Sequence, residues 1–136
     1  MNLAYLDSLP EVANRFKVEL EDGEKVVFTA SLAVCDTEKR YTLGIIGNEF
    51  TLTNKHIVIY TAYGLFTVDI AEDIADCAAN KSKIKKLFNL DYFSINLNKE
   101  MIFDNGKRKL NGFRILFNKK IDMTRFEKIM RNLFNN

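Results

Sequence analysis

The chain has 136 residues, of which 47% are hydrophobic and 28% are charged, and its formal net charge at pH 7 is +2. This length suits one domain with a real core, and the composition excludes a disordered or fibrous chain. The small net charge argues against bulk affinity for nucleic acid. We therefore expect a single domain spanning residues 1–136.

The two halves of the chain carry opposite charge. Residues 1–80 hold 6 Lys or Arg against 13 Asp or Glu, for a net charge of −7, whereas residues 81–136 hold 14 against 5, for +9. A β-sheet interleaves distant parts of a chain, so the asymmetry predicts solvated faces that attract each other within one fold. An anion-binding surface is the alternative.

Cysteine usage and the first residues indicate the compartment. Cys35 and Cys77 lie far apart without CxxC or CxxH spacing, which predicts two free, buried thiols and neither a disulfide framework nor a zinc site. Residues 1–12 show no basic region followed by an apolar run, and no stretch approaches the roughly 20 apolar residues of a spanning helix. We expect a cytoplasmic protein without a cofactor.

The segment before the first strand has two competing interpretations. Ser8 and Glu11 form a capping-box pattern, Pro10 suits a first helical turn, and apolar residues recur at four-residue spacing up to Gly23. These features favour a short helix within a helical lead-in at residues 1–22. Alternation in FKVEL, residues 16–20, supports instead a hairpin with residues 25–32.

From Glu24 onward the pattern has period two and is rich in β-branched and aromatic residues, as in strands. Such runs occupy residues 24–34, 41–47, 49–53, 56–61, 65–70, 92–97, 100–103 and 112–117. Turn residues separate most of them, and residues 71–88 are less regular. Six to eight short strands at residues 23–119, without a helical crossover, predict an antiparallel meander.

The chain ends in an amphipathic pattern that predicts a helix over residues 122–134. Thr124 and Glu127 form a second capping-box pattern. The apolar side of this helix comprises Met123, Phe126, Ile129, Met130, Leu133 and Phe134, and the polar side Arg125, Lys128, Arg131 and Asn132. An apolar side must pack against other apolar groups, so we expect the helix to plug an open end or slot of the sheet.

About seven antiparallel strands followed by one amphipathic helix is the layout of the pleckstrin-homology (PH) superfold. Residues 43–74, LGIIGNEFTLTNKHIVIYTAYGLFTVDIAEDI, resemble the central part of GRAM and bacterial PH-like domains, in which a strand ending in Leu-Thr-Asn turns into a strand of the Arg-Leu-Ile-Val type. Residues 23–27, GEKVV, resemble the Gly-Glu-X-Val entry to their first strand. His56 stands where that family usually has arginine. The region of residues 80–112 is longer and more basic than the resemblance would lead us to expect. The resemblance implies a mainly β, PH-like barrel or sandwich capped by the C-terminal helix.

The corner LTNKH, residues 52–56, is explained by structure alone. Asn54 tolerates the left-handed conformations of a tight turn, Thr53 suits a strand, and Leu52 alternates inward with Phe50. The corner therefore marks the fold and not a functional site.

Catalytic motifs are absent from the sequence, which has no GxSxG, no HExxH and no phosphate-cradling glycine loop. The single histidine, His56, is expected to be a half-exposed structural residue and not a general base. Glu72, Asp73 and Asp76 are close enough in sequence to hold a hard cation, but three acids on an irregular segment usually form a solvated face. We predict a protein that is neither an enzyme nor a metal-binding protein.

Two basic segments are the candidates for an anion-binding site. Their cations are Lys81, Lys83, Lys85 and Lys86 in KSKIKK and Lys107, Arg108 and Lys109 in NGKRK. Such clusters attract phospholipid headgroups or nucleic-acid phosphates. They also maintain solubility and keep strand edges from aggregating, which is the interpretation the sequence favours. A partner with an acidic face is a third interpretation.

The PH resemblance also bears on phosphoinositide binding, because PH domains that bind these lipids concentrate basic residues between their first two strands. Here that loop reads CDTEKRYT, residues 35–42, where Lys39 and Arg40 are offset by Asp36 and Glu38. A dedicated inositol-phosphate pocket is therefore not expected.

Three functional hypotheses follow. The first is a non-catalytic, PH/GRAM-like interaction module that docks a protein partner along a strand edge or beside the terminal helix. The second is a peripheral module that binds anionic membrane lipid headgroups through its basic loops. Nucleic-acid phosphate binding ranks third, because YFSINL, residues 92–97, lacks the signature of an RNA-binding sheet.

Overall fold

A computed structural model of the chain describes residues 1–36, 42–44, 48–81 and 91–134. Within these ranges, eight strands form one antiparallel sheet, accompanied by three helices. The strands are β1 (Val26–Asp36), β2 (Thr42–Gly44), β3 (Asn48–Thr53), β4 (His56–Thr61), β5 (Gly64–Asp69), β6 (Ile74–Lys81), β7 (Asp91–Phe103) and β8 (Arg108–Phe117). The helices are α1 (Leu3–Ser8), α2 (Ile70–Asp73) and α3 (Lys120–Phe134). None of these helices has the length and apolar character needed to cross a membrane.

The sheet curls because β1 belongs to both of its halves. The strand order is β5-β4-β3-β1-β8-β7-β6, and β2 pairs separately with the end of β1. The first part of β1, from Val26 to Leu32, pairs with β3, and the part from Leu32 to Asp36 pairs with β8. Register shifts interrupt both ladders, and such bulges bend a strand and increase its twist. The curled sheet therefore has a concave face, which is where the core lies.

Phenylalanine rings fill the core. Phe126 of α3 is fully buried, and its ring centroid lies 5.0–5.9 Å from those of Phe28, Phe50, Phe93 and Phe117, which come from β1, β3, β7 and β8. Edge-to-face and tilted pairs at these distances are favourable for aromatic side chains. The helix thus packs against both halves of the sheet, as its apolar side predicted.

The start of α3 differs from the prediction. The helix begins at Lys120, two residues before the predicted start, and Thr124 lies inside it. The Thr124 hydroxyl donates a hydrogen bond to the Lys120 carbonyl at 3.1 Å, which is a bond back along the helix and not an N-terminal cap. The capping-box assignment of Thr124 and Glu127 is therefore wrong.

The predicted helix after Ser8 is also wrong. Helix α1 ends at Ser8, whose hydroxyl donates to the Tyr5 carbonyl at 2.6 Å, and residues 9–25 contain neither helix nor strand. The alternative hairpin is not formed either, although the Val12 amide does donate to the Val26 carbonyl at 2.9 Å. The segment runs against the sheet in an irregular conformation.

The strand prediction is confirmed for β1, β3, β4 and β5, with small shifts at the ends, and for β8, which begins at Arg108 and not at residue 112 as predicted. Sequence reasoning missed β6, because its residues IADCAANK are small or polar and do not alternate. Residues 92–97 and 100–103, predicted as two strands, belong to the single strand β7 with a register shift between Asn96 and Met101. Of the predicted strand at 41–47, the structure describes Thr42–Gly44 only.

Asn54 stabilises the corner between β3 and β4 through its side chain. Its backbone is not left-handed, in contrast to the prediction. Its side-chain oxygen accepts a hydrogen bond from the Lys25 backbone amide at 2.9 Å. Its side-chain nitrogen donates to the Asp7 carboxylate at 2.9 Å and to the Gly23 carbonyl at 3.1 Å. Asn54 therefore has a structural role, which it fulfils by anchoring the N-terminal segment through side-chain hydrogen bonds and not through its backbone conformation.

Both cysteines are free, as predicted. Cys35 is buried and Cys77 is partly buried. Burial, together with the neighbouring Asp36, raises the pKa of Cys35 well above its ordinary value, and burial with Asp76 raises the pKa of Cys77 to about 11. Neither thiol is therefore a reactive thiolate at neutral pH.

Candidate functional site

The outer face of β3, β4 and β5 forms the floor of a groove. Alternation along each strand sends one set of side chains to the core and the next set outward. Cross-strand pairing places the outward side chains in rows, namely Glu49–Tyr60–Leu65, Thr51–Val58–Thr67 and His56–Asp69. Tyr60 and Leu65 are each 54% exposed, which is unusual for large apolar side chains that lie side by side.

Residues 16–21 form the opposite wall of this groove. Asn14 fixes the start of the wall, because its side chain accepts from the Val18 amide at 2.9 Å and donates to the Val18 carbonyl at 2.8 Å. Between them Lys17 has a φ of 55°, and its amide donates to the Asn14 carbonyl at 3.2 Å. An asparagine that closes a short loop in this way holds the backbone without any regular secondary structure.

The groove encloses about 670 Å³, a volume in the range of sites that hold small molecules or a few side chains. Its apolar lining comprises Phe16, Val18, Leu20, Val58, Tyr60 and Leu65. Its polar lining comprises Lys17, Glu19, Glu21, Glu24, Glu49, Thr51, His56 and Thr67. The groove therefore combines apolar side chains with several carboxylates.

A buried pair of titratable groups, Glu24 and His56, lies in the groove. The Glu24 side chain is 2% exposed and that of His56 16% exposed, and His56 Nδ1 lies 2.7 Å from Glu24 Oε2. The Thr53 hydroxyl donates to the same oxygen at 2.5 Å, and the Glu21 amide donates to Glu24 Oε1 at 2.9 Å. The other ring nitrogen of His56 lies 3.9 Å from Asp69 Oδ2.

These contacts determine the charge of Glu24. Burial acts to raise the pKa of its carboxyl group, but the hydrogen bonds from the Glu21 amide, the Thr53 hydroxyl and His56 outweigh burial and hold the pKa below its ordinary value. Glu24 is therefore a carboxylate at neutral pH, and it supplies a fixed negative charge next to the apolar floor.

Sequence reasoning missed this groove. His56 was expected to be structural and half-exposed, yet it pairs with a carboxylate 32 residues away, on a segment expected to lead from a helix into a strand. The one available signal was the predicted strand pairing, which would place Tyr60 beside Leu65 on a single face. Nothing in the sequence indicates that residues 16–21 cross that face.

The predicted anion-binding residues fall into two groups. Lys107 lies in the turn between β7 and β8, whereas Arg108 and Lys109 are the first residues of β8, and the Arg108 guanidinium lies 3.3 Å from the ring centroid of Tyr63. Arg108 also pairs with Asp104 at 3.4 Å, and Lys109 lies 4.0 Å from Glu100. Two of these three cations thus have acidic neighbours.

The second group is only partly described. Lys81 is the last residue of β6, and Lys83, Lys85 and Lys86 lie outside the described residues, as do Lys39 and Arg40. Both interpretations therefore stay predictions: the favoured one, that the seven cations are loop residues that maintain solubility, and the alternative, that they form one anion-binding surface.

The acidic residues near α2 have separate partners. Asp73 is buried, accepts from the Asp69 amide at 2.9 Å and pairs with Lys99 at 3.1 Å. Asp76 accepts from the Asn96 side chain at 2.5 Å on the neighbouring strand. Within the described ranges, no three His, Cys, Asp or Glu side chains are grouped so as to hold a metal ion.

Comparison with known proteins identifies the fold. A search of solved structures found the Vps36 N-terminal PH domain, with a TM-score of 0.60 at 15% sequence identity over 92% of this chain and 90% of that one. Comparison of the sequence with protein-family models and with curated proteins found no match. Together with the curled antiparallel sheet and α3, the structural likeness confirms the predicted PH-like fold.

Proposed function

We propose that this chain is a non-catalytic, PH-like interaction module that docks a protein partner, and that the partner binds in the groove formed by residues 16–21 and the outer face of β3–β5. The PH-like fold supports an interaction module in general. A fold alone does not assign a function, so the proposal depends on the groove. Its GRAM-like subtype and cytoplasmic location, peripheral to the membrane or not, stay predictions from the sequence.

The observation that carries the proposal is the exposure of Tyr60 and Leu65 beside a concave surface. They are neighbours on paired strands, and each exposes more than half of its surface to water. Aromatic and large aliphatic side chains in a depression are the usual anchors of protein interfaces, because their burial removes apolar area from water. The floor is made of three paired strands, so its shape is held by the sheet itself.

A membrane-lipid function receives less support. The described cations at the β7–β8 turn include Arg108, which stacks on Tyr63 beside Asp104, and Lys109, which lies near Glu100. Acidic neighbours at these distances reduce the local field that would attract an anionic surface. We therefore keep lipid binding as the alternative that the experiment must separate from partner binding.

In the test, proteins that bind this chain are isolated from the native host, and the affinity of each one is then measured with purified components. We expect the double variant Tyr60→Ala/Leu65→Ala to weaken the partner's affinity at least about tenfold, or roughly 1.4 kcal/mol. The matched control is Ile102→Ala/Ile121→Ala, which truncates two side chains of similar exposure, 58% and 56%, outside the groove. A partner that binds the groove variant as tightly as the parent protein would overturn the proposal.

A further inference from the structure

We infer that the segment bound in the groove is basic and also carries apolar side chains, so that the partner is a protein with an extended Lys- or Arg-containing stretch. This inference rests on the proposed function, since it names the chemistry of the ligand of the same groove.

The charges that line the groove are predominantly negative. Four carboxylates, Glu19, Glu21, Glu24 and Glu49, line the groove together with one ammonium group, that of Lys17, and one imidazole, that of His56, which lies against Glu24. Lys55 lies outside the lining and pairs with Glu21 at 3.8 Å, so the carboxylates still outnumber the ammonium groups by two when it is included. This excess favours a cationic ligand.

Two of these carboxylates are available to a ligand. Within the part of the chain that the structure describes, neither Glu19 nor Glu49 has an ion-pair partner. Glu19 belongs to the wall and Glu49 to the floor, in the same row as Tyr60 and Leu65. A cationic side chain between wall and floor therefore meets carboxylates from both sides.

Glu24 adds a negative charge that is already present before a ligand binds. It is ionised because the Glu21 amide and the Thr53 hydroxyl donate hydrogen bonds to its two oxygens, and because His56 Nδ1 lies next to one of them. Its side chain is almost fully buried, and a charge away from water acts over a longer distance than an exposed one. The field inside the groove thus persists at salt concentrations that screen the rim.

The apolar lining of the groove favours a ligand that carries apolar side chains as well as cations. Tyr60 and Leu65 form an exposed patch on the floor, and Phe16, Val18 and Leu20 line the wall. A purely polar basic ligand would leave this patch in water, whereas apolar side chains would bury it. An acidic peptide could cover the apolar patch, and an anionic headgroup could bind cations elsewhere on the chain. The carboxylates of the groove would repel both.

The experiment compares three short labelled peptides that share their leucine and tyrosine positions and carry Lys, Gln or Glu at the others. Affinities are measured by fluorescence anisotropy at about 50 mM and about 300 mM salt. We expect the Lys peptide to bind most tightly and to weaken as salt rises. The double variant Glu19→Gln/Glu49→Gln should weaken the Lys peptide about fivefold or more.

Two control variants make the result specific. Glu11→Gln/Glu72→Gln removes the same number of charges from exposed carboxylates outside the groove lining, and it should leave the affinity of the Lys peptide unchanged. Tyr60→Ala/Leu65→Ala keeps every charge and should weaken all peptides that use the groove. Circular dichroism confirms that each variant is folded.

The possible failures of the two proposals differ. If the Gln or Glu peptide binds as tightly as the Lys peptide and still depends on Tyr60 and Leu65, the inference is overturned and the proposed function stands. If no peptide binds at about 1 mM, the inference is also overturned. Retention of the protein on phosphatidylserine vesicles, lost in Lys107→Gln/Lys109→Gln and unchanged in Tyr60→Ala/Leu65→Ala, would overturn the proposed function as well.

Discussion

Glu24 and His56 join two parts of the chain that are distant in sequence. Glu24 lies just before β1, His56 is the first residue of β4, and their side-chain atoms lie 2.7 Å apart. The Thr53 hydroxyl binds both Glu24 and the backbone of the corner, where it accepts from the His56 amide at 2.8 Å. This small network holds the end of the groove wall against the sheet, so it contributes to stability and to the shape of the groove.

The Glu24 carboxylate should make stability depend on pH in the acidic range. Its pKa in the folded state lies below its ordinary value of 4.5, so its contribution is present above that pH and is lost as pH falls through the folded-state pKa. Urea unfolding between about pH 7 and about pH 3 should show that Glu24→Gln lowers the free energy of unfolding by about 1 to 3 kcal/mol at neutral pH. The difference between parent and variant should then shrink below pH 4.5.

Glu11→Gln is the control for this measurement, because Glu11 is exposed. It should change neither the stability nor its pH dependence. A difference between parent and Glu24→Gln that stayed constant from neutral to acidic pH would show that the carboxylate charge of Glu24 does not stabilise the fold.

At the scale of elements, helix α3 is the part that the sequence predicted best. Its apolar residues recur at helical spacing over four turns, and Phe126, Met130 and Leu133 are all buried at 1% exposure or less. A helical pattern of this length is visible in the local sequence, so the helix can be predicted without knowledge of tertiary contacts. The start of the helix was less predictable, because a Ser/Thr-x-x-Glu pattern also occurs inside helices.

Two elements were not predictable for physical reasons. Strand β6 carries small and polar residues, and it is a strand because it pairs with β7 along its length. The segment at residues 9–25 has apolar residues that fit both a helix and a strand, and it adopts neither, because the Asn14 side chain binds Val18 and the Val12 amide binds Val26. Tertiary contacts override local preference in both cases.

The packing of α3 gives a prediction about stability. Phe126 and Met130 are buried on one side of the helix, and truncation of buried side chains of this size lowers stability by about 2 to 5 kcal/mol each. A domain of this size has a stability of roughly 5 to 15 kcal/mol, so Phe126→Ala/Met130→Ala should unfold or nearly unfold it. Thermal melting monitored by circular dichroism is the measurement.

Ile121→Ala is the matched control on the same helix, since Ile121 is 56% exposed. Its melting temperature should stay close to that of the parent. If the double variant melted together with this control, α3 would be a loosely attached tail, and its apolar side would be free for a partner.

At the scale of the whole molecule, the concave face of the sheet holds the core, and part of the outer face is the floor of the groove. The sequence predicted the PH-like layout, because alternating strands and an amphipathic helix are local patterns, and structural likeness to a PH domain confirms it. It did not predict the groove. The groove combines rows of side chains from three strands with an irregular segment, and only the folded chain brings these together.

The acidic and basic halves of the sequence contribute to different surfaces of the folded chain. The carboxylates of the groove, from Glu19 to Glu49, all belong to the acidic first half. The cations Arg108 and Lys109 of the basic second half lie near acidic residues of their own hairpin, Asp104 and Glu100. The feature that the sequence suggested as a site was the basic one, whereas the folded chain forms its groove from the acidic half.

The most direct test of the groove is to record amide NMR spectra of the protein while the Lys peptide is added. Binding in the groove predicts that the largest chemical-shift changes fall on residues 16–21 and on the outward rows of β3–β5, including Glu49, Val58 and Leu65. The turn at Lys107–Lys109 and the exposed side of α3 should change little. Changes concentrated at that turn or on α3, with the groove residues unaffected, would contradict the account.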